Sequence, residues 1–473
     1  MRRQGRTPAR PSLSAGCVLH EFDGSRLQTI FREPRRLRDG RARAALRPYP
    51  TKLFVEVTTR CNLHCSMCVK EAQGQRIAEG DLSLDTFSRL APAFPTLETL
   101  ILNGIGEPLL HPRLEEFVRA AKRAMPASGQ VGFQTNGQLL RRERASSLAD
   151  AGVDRICLSA DAVSADVFGK LRRGGRVEMI ESAANALHHA GRARGRAISL
   201  GLEFVAMRDN LPQLREIVRW AARNHFSFVI VTHMLAYEQE MSGAAAFYPI
   251  TDHARQVHRE CREQAASDGV DLRNYFGLFT PSYKHKSEDE WRRRDYIAKL
   301  FAQAAHQDVR LSYERLVTID DAQDHQAGEW FAEAARIAEQ EGIDLQLPAT
   351  VPSRQRRCHF VEEGSCFVSW NGDLHPCYFL WHRYSCHIGG HSKQVEPMSF
   401  GNLADQDVLA IWNSPRARAF RGDVLKYDYP FCYDCNVGLC SFAQDEEFEG
   451  DCHASEVPCG ACLWSTGVFQ CLR

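Results

Sequence analysis

No run of about 18 consecutive apolar residues occurs in the 473-residue chain, so no segment is expected to cross a membrane as a helix. Net charge is missing too. Lys and Arg together number 59, as do Asp and Glu, so overall electrostatics make no case for a nucleic-acid or membrane partner. The basic N-terminus lacks the apolar core of a secretory signal, and the expected compartment is the cytoplasm. Short-period repeats and low-complexity tracts are also absent. What is left is ordinary globular protein, 44% apolar and 25% charged, long enough for two or three domains.

Cysteine is abundant. The chain has 17, and eleven of them lie between Cys358 and Cys471. A secreted disulfide scaffold is usually far smaller and needs an export signal. Thiolates binding metal in a reducing compartment fit better. Cys17, Cys157 and Cys261 are isolated and read as ordinary thiols.

Four segments follow from the pattern. Residues 1–50 form a basic arm with twelve Arg against Glu21, Asp23, Glu33 and Asp39. In residues 51–235, apolar runs at 53–58, 97–102, 130–135, 154–159, 198–206 and 226–232 alternate with helical stretches at 112–124, 141–151, 178–190 and 211–223. Six strands alternating with helices predict a parallel α/β sheet curled into a partial (β/α)6 TIM-like barrel, with functional residues at the strands' C-terminal ends. Residues 236–357 predict a helical bridge with helices near 252–267, 288–303 and 329–341. Its His253, His258, His285, His306 and His325 are expected at the surface. Residues 358–473 are loop-rich and Cys-rich, with too little apolar content to fold without ligated metal.

Cys61, Cys65 and Cys68 follow the first strand with C-x3-C-x2-C spacing. Three thiolates on one loop leave a four-iron cluster with one open iron, free to bind a substrate or cofactor. In this spacing and position the motif resembles the signature of the radical S-adenosylmethionine (SAM) superfamily. The resemblance implies that a [4Fe-4S] cluster on these three residues binds SAM and cleaves it to a 5′-deoxyadenosyl radical, which abstracts hydrogen from a substrate. Met67 stands where the family often has an aromatic residue near the adenine.

Further motifs fit that resemblance. Gly104, Gly106 and Glu107 match the family's Gly-Gly-Glu segment, which implies contact with the SAM ammonium. Asn136 lies in a Thr-Asn-Gly turn closing the third strand, beside the SAM site in similar proteins. Ser159 and Asp161 end the fourth strand, where the family contacts SAM carboxylate or ribose; helix capping by Asp161 is the alternative. Glu203, within the fifth strand, admits structural pairing as its role.

Cys358, Gly372 and Cys377 resemble the opening of the SPASM domain, an auxiliary-cluster module, and Asn371–Gly372 predicts a type I′ hairpin turn there. The stretches 399–403 and 408–414 also resemble SPASM text, whose helix packs between cluster lobes. Cys432, Cys435 and Cys440 depart from the family spacing by one residue, and a later Cys is absent. A provisional split gives Cys358, Cys366 and Cys377 to a first auxiliary cluster and Cys432, Cys435 and Cys440 to a second. The remaining ligands would come from Cys452, Cys459, Cys462 and Cys471, with Cys386 a bystander. Cys432, Cys435, Cys459 and Cys462 also have zinc-ribbon spacing.

The resemblance implies a peptide or protein substrate and an electron donor such as ferredoxin or flavodoxin. The final cysteines, from Cys459 to Cys471, resemble a branch proposed to mature tungsten-type oxidoreductases. A non-catalytic zinc or iron–sulfur scaffold is the reading of another class, disfavoured by the loop from Gly104 to Glu107.

Overall fold

Apolar runs rich in β-branched and aromatic residues form strands where both faces can be covered. All six expected runs do so: β1 (Lys52–Val55), β2 (Thr99–Ile101), β3 (Gln130–Thr135), β4 (Arg155–Ser159), β5 (Ser199–Ala206) and β6 (Phe228–His233). The structure, a computed structural model, describes residues 42–272, 287–309, 311–317, 319, 321–389, 391–433, 435, 451–453 and 455–472. Strands β1 to β6 pair in chain order, each parallel to the next. The helices Leu114–Ala124, Arg142–Ala151, Glu178–Ala193 and Leu214–Arg223 fall where the periodicity places them. They bury Leu53, Val55, Phe133, Leu158, Leu202 and Phe204 on the sheet's outer face.

Three further strands extend the sheet beyond what the sequence pattern suggested. β7 (Asp344–Gln346) runs parallel to β6. β8 (Ser365–Val368) runs parallel to β1, and β9 (Leu374–His375) pairs antiparallel with β8. The sheet order is β9-β8-β1-β2-β3-β4-β5-β6-β7. One sheet therefore joins residues from the expected barrel, bridge and C-terminal segments. The β8–β9 hairpin is present, but its turn is not type I′. That turn needs two residues at positive φ, and of the pair only Gly372 has it, at +91°. Ser369 instead accepts from Gly372 N at 2.8 Å and donates its own N–H to Asp373 at 3.0 Å. This longer loop asks a left-handed conformation of the glycine alone.

The bridge helices are Asp252–Ser267, Glu288–His306 and Asp321–Glu341. The first two share their own apolar core. The third packs on Leu214–Arg223, with Arg215 and Glu333 paired at 3.3 Å, and leads into β7. His258 is buried against Tyr313 and not at the surface, because it lies on the helix face that Val257 and Cys261 turn inward. His285 is outside the described residues. Of the basic arm, residues 42–50 are described. The carbonyls of Ala45 and Arg47 there accept from Arg421 Nε at 2.8 Å and Trp412 Nε1 at 3.0 Å. The helix Val408–Trp412 packs into the barrel's outer core.

The inner face of the sheet is filled from the C-terminal segment. Phe54, Ile101, Cys157, Phe228 and Ile230 pack there against Phe360, Phe367, Tyr378 and Leu472. Among the described residues, no helix is long and apolar enough to cross a membrane. Leu472 is 0% exposed. Leu472→Ala is expected to destabilise the fold by about 2–4 kcal/mol through the cavity it leaves, as measured by denaturant unfolding.

Candidate active site

Beyond β1 the chain crosses the C-terminal mouth of the sheet, carrying Cys61, Cys65 and Cys68. A two-residue antiparallel ladder fixes this loop, with His64 opposite Arg173 and Cys65 opposite Arg172. Ser66 N donates to Leu171 O at 2.9 Å, and Cys68 N to Cys65 O at 3.0 Å. The three thiols are half-buried, and burial pushes each upward, Cys68 to about 11. Cys61 and Cys65 both raise Cys68 electrostatically, so the three thiols lie within reach of one another's charge.

Gly104 and Gly106 let a second loop press against the first. A Cβ on Gly106 would lie 2.3 Å from the Thr58 carbonyl oxygen and 2.6 Å from that of Arg60. A Cβ on Gly104 would strike the Glu56 side chain. The glycines thus serve protein packing at the cysteine loop, a different need from ligand approach. Glu107 is buried. Its carboxylate accepts from Thr135 Oγ1 at 2.7 Å, Asn136 N at 2.8 Å and Leu109 N at 3.0 Å. It is turned into the protein, tying its own loop to the one after β3. Asn136 completes the tie by donating to Asn62 Oδ1 at 2.8 Å, with Cys61 Sγ 3.9 Å away.

Asp161 is 0% exposed. One oxygen accepts from Val205 N at 2.8 Å, and the other lies 2.6 Å from Arg172 Nε. It therefore neither caps a helix nor faces the site directly: it holds Arg172, whose Nη1 reaches to 3.9 Å from Cys65 Sγ. Composition and spacing gave no sign of Arg172. Only its place in the Arg-Arg-Gly-Gly stretch of residues 172–175 was available as a hint.

Ser159 stands opposite Glu203 in the β4–β5 register. Glu203 shares the inner face of β5 with Gly201 and Val205, the even-numbered neighbours packing outward. It is half-buried and accepts from Gln134 Nε2. Burial raises it to about 7, against the lowering pull of Arg172. Met67 joins Met207, Met234, Met241, Val205 and Leu171 in an apolar cluster at this mouth.

Glu56 and His382 are residues the sequence reading missed. Glu56 is fully buried, with His382 Nε2 at 3.0 and 3.2 Å from its two oxygens and Ile105 N donating at 3.0 Å. A charged residue inside the apolar run 53–58 was the available signal.

The C-terminal thiols group differently from the provisional split. Cys358, Cys377, Cys459 and Cys462 line one cavity. Each is raised by burial, and they interact electrostatically with one another. Cys366 is not among them. It sits on β8, pairs in register with Leu53 and is buried in the barrel core. Cys432 interacts electrostatically with Cys452, and its Sγ also lies 3.0 Å from where a Cβ on Gly460 would stand, next to Cys459 and Cys462. Cys471 lines a neighbouring cavity with Cys358. Cys386 is buried on a separate two-stranded ribbon. Cys435 is described; Cys440 and Cys17 lie outside the described residues.

The sequence profile of the radical SAM superfamily matches residues 55–232, the span from β1 to β6, and that of the SPASM iron–sulfur cluster-binding domain matches residues 358–436. The chain belongs to the radical SAM superfamily. It is a radical SAM enzyme with a SAM-binding [4Fe-4S] cluster and auxiliary iron–sulfur clusters. It is similar to the tungsten-containing aldehyde ferredoxin oxidoreductase cofactor-modifying protein of Pyrococcus furiosus, with 27% identity over 427 residues, 89% of this chain and 96% of that protein. GTP 3′,8-cyclase of Pelotomaculum thermopropionicum is 36% identical over 145 residues, 29% of this chain and 43% of the cyclase. Among solved structures, SuiB of Streptococcus suis bound to S-adenosylmethionine has a TM-score of 0.44 at 13% identity, covering 86% of this chain and 77% of that one.

A carboxyl whose folded value lies above its unfolded one weakens the fold as pH climbs through that interval. For Glu203 the interval runs from 4.5 to about 7. Glu203→Gln is therefore expected to leave stability unchanged at pH 4 and to raise it above pH 7. The gain would be at most about 2–3 kcal/mol, read from thermal unfolding across that range.

Proposed function

We propose that this radical SAM enzyme matures a metallocofactor, or the oxidoreductase that carries it. The nearly end-to-end match to a cofactor-modifying protein supports this reading, since it spans barrel, bridge and C-terminal segment together. When bound, the SAM-binding cluster supplies the electron that splits SAM into methionine and a 5′-deoxyadenosyl radical able to take hydrogen from a substrate. Cys61, Cys65 and Cys68 would hold that cluster, and their placement on one braced loop fits it. Asn136, Glu107, Gly104 and Gly106 hold the loop in place. Met67 and its methionine neighbours offer an adaptable apolar wall beside it. Ser159 and Glu203 line the inner face below, where Glu203 can hold or release a proton near neutral pH.

Cys358, Cys377, Cys459 and Cys462 line one cavity, and a set of four thiols suits a multi-iron group. We assign Cys358, Cys377, Cys459 and Cys462 to one auxiliary cluster, and Cys432, Cys435, Cys440 and Cys452 to the other. Anaerobically prepared protein is then expected to hold about twelve irons. The Cys61→Ala/Cys65→Ala/Cys68→Ala protein should hold about eight, as should Cys459→Ala/Cys462→Ala, while Cys366→Ala stays at about twelve. Stoichiometric zinc in place of one set of four irons would overturn that assignment.

A second reading, modification of a peptide or partner protein, rests on the SPASM domain. In both, a cytoplasmic ferredoxin or flavodoxin is the proposed electron donor. Turnover with SAM and a low-potential reductant separates the two. An immature tungsten aldehyde oxidoreductase should raise 5′-deoxyadenosine above the uncoupled level, and ribosomal peptides should not. Stimulation by a peptide alone replaces the first reading with the second. No 5′-deoxyadenosine at all, with the clusters loaded, sinks both.

A further inference from the structure

Arg172 is a fully enclosed cation directly across a strand pair from one of the three cysteines. Its side chain is 8% exposed, and that of its partner Asp161 is 0% exposed. Leaving an arginine in such a place without a purpose is costly, since a buried ion pair loses hydration on both sides and rarely adds net stability. The geometry shows where the charge is aimed. The ladder sets Cys65 and Arg172 opposite each other, and residues so placed share one face. Asp161 grips Nε from behind, which leaves Nη1 pointing at Cys65 Sγ at 3.9 Å. Asp161 is itself fixed by Val205 N, and Asn210 Nδ2 donates to the Asp161 carbonyl at 3.0 Å. These contacts hold the guanidinium toward Cys65. Glu203 and Glu107 also lie within electrostatic reach of it.

We propose that Arg172 is the positioning residue that sets how readily the cluster held at Cys65 accepts an electron. This rests on the reading that Cys61, Cys65 and Cys68 ligate the SAM-binding cluster. A hydrogen-bonded cation beside a ligand sulfur stabilises the more negative, reduced state, so it moves the midpoint potential upward. Removing it should move the potential down. Lysine keeps the charge but loses the planar fork, so its effect should be smaller.

The test is an EPR-monitored redox titration of the holoenzyme, following the signal that is absent from the Cys61→Ala/Cys65→Ala/Cys68→Ala protein. Auxiliary-cluster signals report that each variant is folded. Arg172→Gln is expected to retain its iron, to titrate at a clearly more negative potential than wild type, and to have Arg172→Lys between them. An unchanged potential in a fully loaded Arg172→Gln overturns the proposal, including the case in which SAM binding alone is weakened. If Arg172→Gln loses the cluster, Arg172→Lys decides: a more negative potential supports the tuning role, and an unchanged one overturns it. Absence of the subtracted signal in wild type itself is a different result, because it removes the cluster assignment and not the tuning.

Discussion

Strand β1 has a parallel neighbour on each side, and the rest of the molecule depends on the one that is far away in sequence. On one side is β2, whose following loop carries Gly104, Gly106 and Glu107. On the other is β8, from the C-terminal segment, paired from Lys52–Ser365 to Val55–Val368. The ladder continues one step further, where Glu56 N donates to Val368 O at 2.8 Å. The Glu56 carboxylate then takes Ile105 N from the β2 side and His382 from the C-terminal side. The residue five before Cys61 therefore fastens both loops that frame the cysteines. A buried carboxylate with this many partners is well satisfied, and losing any one of them would expose the cost of its burial.

The same pairing explains why the inner face of the barrel is only partly open. A six-stranded parallel sheet that fails to close leaves an edge strand and an uncovered inner surface. Here β8 covers the β1 edge, while Tyr378, Phe360 and Leu472 fill the inner face as far as Ile230 and Cys157. Tyr378 also donates to Asn103 Oδ1 at 2.6 Å, and it follows Cys377 directly. The auxiliary thiols thus stand beside the plug, in an apolar cluster that also takes in Val69, next to Cys68. Gln134, Ser159 and Glu203 add a polar layer on the inner face.

Much of this was legible in the sequence, for reasons of period and chemistry. Six strands and their helices declare themselves because a parallel sheet covered on both faces needs continuous apolar runs alternating with amphipathic helices. The three-cysteine loop declares itself because its spacing serves one need. Pairings between distant segments carry no such mark. Ser365, Cys366, Phe367 and Val368 read as half of a hairpin, which they are, but nothing local reveals their other edge on β1. That edge removes Cys366 from the ligand set, since its side chain is committed to the core beside Leu53. Likewise Cys459 and Cys462 look in sequence like partners of Cys432 and Cys435. The fold also brings them to Cys358 and Cys377, because residues 463–472 run back to the barrel, where Gln470 N donates to Thr232 Oγ1 at 3.2 Å.

Asp161 and Glu107 show how a correct location can carry a different role. Both lie where the family resemblance places them, and both are closed off by protein partners. Each carboxylate spends its oxygens chiefly on the chain, so its first effect is to fix its protein partners. Glu107 fixes Asn136 and the loop of Asn62; Asp161 fixes Arg172. The acidic residues at this mouth thus act one layer back. Asn136 Nδ2 lies 3.9 Å from Cys61 Sγ and Arg172 Nη1 3.9 Å from Cys65 Sγ, while Met67 on the same loop joins an apolar cluster: a neutral donor, a cation and an apolar surface. Such a lining suits an electron-rich, sulfur-ligated centre, because each additional electron placed there meets donors and a fixed positive charge and no opposing carboxylate in contact.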